Sequence, residues 1–77
     1  MLPLIKWLEI LRYQRDNDLN SMTYEKNFES NISVKVNLNH LYYQIFHKKK
    51  LIRVGCVNVY TLKAIDQVFG GIQFTNK

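Results

Sequence analysis

Residues Ile32 to Lys50 read ISVKVNLNHLYYQIFHKKK, and two periodicities fit them. In one, Ile32, Val34 and Val36 alternate with Ser33, Lys35 and Asn37 as a short strand, after which Asn37 caps a helix reaching about Lys49. In the other, Ser33 is the cap, and Val34, Leu38, Leu41, Tyr42 and Ile45 fall on one stripe of a longer amphipathic helix. The β-branched run favours the strand. Topology favours the helix, because it leaves a turn of about four residues after the preceding helical candidate, the spacing of a helix-turn-helix.

Working toward the N-terminus, TYEKNFES (residues 23–30) reads as a short helix. Thr23 or Ser21 can cap it, Tyr24 and Phe28 meet at i, i+4, and Asn31 can take the left-handed conformation that ends it. The polar DNDLNS segment separates this from MLPLIKWLEILRYQR. There Pro3 suits a first helical turn, and Leu4, Leu8 and Leu11 form a stripe widened by Ile5, Trp7 and Ile10. The expected helix covers about residues 3–15, with an arc wide enough to serve a partner as well as the core.

Toward the C-terminus, LIRVGCVNVYTL predicts a hairpin around Gly-Cys-Val-Asn, in which Gly55 or Asn58 supplies a positive φ. Thr61 then caps a last helix, LKAIDQVF, with Leu62, Ile65, Val68 and Phe69 on one side and Gly70-Gly71 as its stop. Residues 70–77 form a tail that adds an edge strand or frays. The whole chain, 1–77, is expected to be a single domain: an N-terminal helix in 1–16, a body in 22–69 and the tail.

A single cysteine, Cys56, precludes an intramolecular disulfide and fits a reducing cytoplasmic setting. Lys6, Glu9 and Arg12 interrupt an apolar run already too short to span a membrane, so no membrane partner is expected. The formal charge of +5 and a pI near 9.5 point to anionic partners, nucleic acid first. His40, His47 and Cys56 match no zinc spacing and the carboxylates form no close pair. No metal, cofactor or catalytic site is expected.

The order of expected elements resembles a winged helix-turn-helix. LNHLYYQIFHKKKLIRVGCVNVYTLKAIDQVF is similar to the excisionase and MerR-like DNA-binding modules. The resemblance is carried by Leu41-Tyr42 with Ile45, the basic run Lys48 to Lys50, Arg53-Val54-Gly55, Tyr60-Thr61 and Asp66. It implies an α+β class, a mainly helical winged helix-turn-helix with a two- or three-stranded β-hairpin wing.

With Val34, Leu38, Leu41 and Ile45 facing the core, Asn37, His40, Gln44 and His47 project from the opposite side at i, i+3, i+7, i+10. Such side chains read base edges in a major groove. Lys48, Lys49 and Lys50 exceed what a helix macrodipole needs, and with Arg53 on the wing they are expected to contact phosphate, Lys35 adding to the same face. The first expectation is therefore a small sequence-specific protein of double-stranded DNA, repressor-like or excisionase-like. It would dimerise or hold a partner through the N-terminal helix. The second is a protein-binding inhibitor or adaptor of mobile-element origin, favoured by the apolar N-terminal helix and by Asn58-Val59 standing where the family usually carries a cation.

Overall fold

A computed structural model describes residues 3–16 and 22–70. The elements are α1 (Leu4–Ile10), β1 (Gln14–Arg15), β2 (Thr23–Asn27), β3 (Ile32–Asn37), β4 (Tyr42–His47), β5 (Lys50–Cys56) and α2 (Val59–Gly70). The strands form one antiparallel meander in the order β1-β2-β3-β4-β5. The class is α+β, but more of the chain is strand than helix, so the mainly helical winged helix-turn-helix expectation is overturned. DNDLNS, apart from Asp16, lies outside the described residues, as do Ser21 and the tail beyond Gly70.

Alternation won over the helical stripe because it continues across neighbouring strands. Val34 pairs with Ile45 on one side and Lys26 on the other, and Val36 pairs with Tyr43 and Tyr24. Paired residues share a face, so Ile32, Val34, Val36, Tyr43, Ile45 and Tyr24 all point to one side and are buried there. Leu8 and Leu11 from α1 and its C-terminal end, with Val57, Leu62 and Ile65, complete that core. TYEKNFES is therefore mostly β2, and residues 38–49 are a turn, β4 and a hairpin turn.

Short turns fix the register. Ser30 and Asn31 both have φ of 61°, and Lys48 and Lys49 have 52° and 66°. Two successive left-handed residues between paired strands form the type I′ arrangement, whose twist matches that of the sheet. Lys48 to Lys50 thus close a hairpin between His47 and Lys50, and they close no helix. The expected hairpin at Gly-Cys-Val-Asn is also replaced: Gly55 lies inside β5, opposite Tyr43. Glycine is needed there because an added Cβ would fall 2.6 Å from the Tyr43 hydroxyl oxygen and 2.7 Å from its ring carbon Cζ.

Both helices end or begin on identifiable chemistry. Helix α1 stops well short of residue 15 in a Schellman arrangement: the Arg12 N–H donates to Glu9 O (3.0 Å) and the Tyr13 N–H to Leu8 O (2.8 Å). Arg12 takes the left-handed position at φ 67° that glycine usually fills. Helix α2 is capped by Asn58 rather than Thr61. Asn58 Oδ1 accepts the Thr61 N–H (3.0 Å) while Thr61 Oγ1 accepts the Asn58 N–H (2.8 Å), a reciprocal capping box. Leu62 and Ile65 are buried as expected, whereas Val68 is exposed.

One polar group sits where α1, the sheet and α2 meet. Lys26, on the covered face of β2, donates to Asp66 Oδ2 of α2 (2.5 Å) and to the Leu11 carbonyl at the end of α1 (2.6 Å). Its ammonium also lies 4.8 Å from the Phe28 ring centroid. Asp66 is 0% exposed, and the Tyr13 hydroxyl, buried beside it, offers it a hydrogen bond. Burial raises the Asp66 pKa, and the hydrogen bond and charge of Lys26 offset this only in part. Burial, then the charge of Asp66, likewise pushes Tyr13 upward.

Desolvation therefore exceeds the attraction within the pair. A carboxyl whose folded pKa is raised contributes stability at pH below its unfolded pKa, and that contribution is lost as pH rises through the folded value. Asp66→Leu alone strands the Lys26 charge and should destabilise by up to about 3 kcal/mol at neutral pH. The double variant Lys26→Met/Asp66→Leu should match or exceed the parent by about 1–4 kcal/mol. Its advantage should shrink in acid, as read by urea unfolding at the two pH values; an advantage that grows in acid would contradict the raised pKa.

Candidate nucleic-acid interface

With both helices on one face, the other face of the sheet is open among the described residues. Across the register, Gln14, Glu25, Lys35, Gln44 and Val54 form one row. Thr23, Asn37, Tyr42 and Cys56 form a second, and Asn27, Ser33, Phe46 and Leu51 a third. These side chains are exposed or half-buried. Strand alternation puts them there: each is the odd partner of a buried β-branched or aromatic neighbour.

The expected reading face is redistributed by the change from helix to strand. Lys35, Asn37 and Gln44 do share a surface, the open face. His47 points to the covered side, opposite Ile32 and Lys50, and is exposed at the end of β4. His40 sits in the β3–β4 turn, where its N–H donates to Asn37 Oδ1 (2.9 Å) and its ring stacks on Tyr42 with centroids 6.4 Å apart. Asn37 thus spends its carbonyl oxygen on the turn and keeps its NH₂ as a donor. Arg53 is opposite Ile45 on the covered side and lines an apolar depression with Tyr43, Thr61 and Val68.

Three cations from two separate parts of the chain converge. Lys35, Lys48 and Lys49 line one groove with Ser33, Asn31, Phe46 and one acid, Glu25. The groove exists because the two type I′ turns sit side by side, joined by the Lys48 N–H donating to Asn31 O (2.9 Å). Lys35 makes no ion pair with its cross-strand neighbour Glu25 among the described residues; its ammonium lies 5.5 Å from the Phe46 ring centroid instead. Lys50 follows on the edge strand, exposed.

A signal missed in reading the sequence is where acids are lacking. No Asp or Glu occurs from Ser30 to Ile65, a segment that holds Lys35, Lys48, Lys49, Lys50, Arg53 and Lys63. The fold turns this run into geography. Strands β3 to β5 are free of acid, while Glu25 on β2, with Asp16 and Glu29 at strand ends, lies toward the other edge of the sheet. The same structure reveals Tyr42 and Phe46 as open-face aromatics; the helical reading puts Tyr42 on the core stripe and gives Phe46 no role.

The turn lysines carry a local cost. Each non-glycine residue held in the left-handed region costs about 1–2 kcal/mol, and Asn-Gly is the pair that type I′ turns favour. Replacing Lys48-Lys49 by Asn-Gly should therefore raise stability by about 1 kcal/mol in chemical denaturation. A loss of stability in that variant would mean that the lysines stabilise the hairpin through contacts that outweigh their strain.

No helix among the described residues is long and apolar enough to cross a membrane. Comparison of this chain with protein-family models, with curated proteins and with solved structures finds no match.

Proposed function

We propose that this chain binds nucleic acid through the β3–β5 half of its open sheet face and the adjoining β4–β5 turn. The observation that carries the reading is the acid-free basic segment, folded so that Lys35, Lys48 and Lys49 share one groove. Three lysines around a concave surface that holds a single acid, Glu25, attract a polyanion and release its counterions on contact. Strain at Lys48 and Lys49 supports the same reading, because strained backbone clusters at functional positions. Gln44 and the Asn37 NH₂ supply hydrogen bonds that can discriminate bases, whereas the lysines supply affinity that is blind to sequence.

A second reading, a protein-binding adaptor or inhibitor, draws on β5. This strand closes one edge of the sheet, and Leu51, Ile52 and Val54 on it are 46%, 55% and 55% exposed. Open strand edges with apolar side chains accept a strand from another chain. Ile5 and Ile10 on α1 offer a second apolar surface.

Fluorescence anisotropy against random-sequence DNA at two salt concentrations tests the first reading. The parent protein should show strong salt dependence, and Lys48→Ala/Lys49→Ala/Lys50→Ala should flatten the log–log slope by about 1 per lysine removed. Binding that ignores salt would defeat the proposal. A partner captured by the parent and by the triple-alanine variant, but lost with Ile52→Lys, would favour the adaptor.

A further inference from the structure

The open face holds an aromatic row that phosphate contacts leave unused. Tyr42, Gln44 and Phe46 project from β4 onto the uncovered side. The two rings, four residues apart, stand about 13 Å from one another along the strand. Both residues are half-buried. His40 stacks on Tyr42 at an interplanar angle of 22°, and the Lys35 ammonium lies beside Phe46. Each ring thus already has a polar neighbour over one of its faces, and a base would stack on the other or extend the existing stack.

Dimensions argue against a duplex on this face. Five strands spaced about 4.8 Å apart place the outer strand axes about 19 Å from each other. The major groove is about 12 Å wide and admits a helix or a two-stranded ribbon. Even β3 to β5 span about 10 Å between axes before their side chains are added. The β4–β5 hairpin cannot enter alone, because its tip is tied to the β2–β3 turn through Lys48 and Asn31.

A single strand meets no such limit. Its bases are free to lie flat on aromatic rings, and every base has a π-face, so stacking tolerates any sequence. We infer that the ligand of this face is single-stranded nucleic acid, its bases stacked on Tyr42 and Phe46 and its phosphates tracked by Lys35, Lys48 and Lys49. The Gln44 amide, between the rings, is placed to hydrogen-bond a base edge. Charge complementarity and aromatic spacing together select this occupant, and the inference rests on the nucleic-acid reading given above.

Anisotropy titrations with a labelled oligo-dT and with a mixed-sequence duplex of the same length separate the two levels. Oligo-dT should bind more tightly than the duplex at equal salt. Phe46→Ala and Tyr42→Ala should each weaken oligo-dT binding by about 5- to 150-fold, the range for loss of one stacked base, and weaken duplex binding by a smaller factor. Phe46→Leu and Tyr42→Leu keep an apolar side chain without a π-face and should show the same loss, with far-UV circular dichroism verifying the fold. Duplex binding equal to or tighter than oligo-dT binding, or full oligo-dT binding by both leucine variants, overturns the single-strand inference and leaves nucleic-acid binding standing. Failure of both nucleic acids to bind at low salt overturns both.

Discussion

The fold depends on the period-two burial of β3. Val34 and Val36 are both 0% exposed, and each is flanked on the sheet by a residue of β2 and of β4 pointing the same way. A slip of one residue would send Lys35 into the core and the valines into water. That constraint assigns one face to α1 and α2 and leaves the other bare. The open face follows from the two short helices and five strands of the described residues, which hold helix enough to cover one side.

The covered face is not wholly apolar, and its exception joins all the layers. Lys26 occupies an inward position of β2 and meets the end of α1 and the buried Asp66 of α2. A pair whose carboxyl remains raised in pKa despite its cation contributes little net stability. Its geometry is nevertheless specific, since an ammonium satisfied by one carbonyl and one carboxylate admits few alternative placements of either helix. The Tyr13 hydroxyl, buried with the carboxyl, is its second polar neighbour.

Six non-glycine residues, Arg12, Ser30, Asn31, Leu41, Lys48 and Lys49, take left-handed backbone conformations. Ser30-Asn31 is ordinary turn chemistry. Lys48-Lys49 is not, and local preference there conflicts with the global fold in the way expected of positions kept for contact with something else. The same turn positions the lysines against Lys35 and Phe46, so strain, charge concentration and aromatic exposure coincide at one end of the open face.

The sequence by itself determined the charge, the final helix and the amphipathic start of the first. It also held the strand reading of residues 32–36 as one of two fits. Leu62 and Ile65 bury as their spacing requires, and Lys48 to Lys50 are a basic surface in either fold. Tertiary structure decided the rest. The stripe of Val34, Leu38, Leu41 and Ile45 is compatible with a helix in isolation, and only pairing with β2 and β5 makes the alternating set the one that buries more apolar surface. The same pairing moved the candidate site. Asn37 and Gln44 remain together because seven residues and one turn return them to a common face, while His47 and Arg53 pass to the other. Lys35 meets Lys48 and Lys49 through adjacent turns, a proximity that spacing along the chain does not encode.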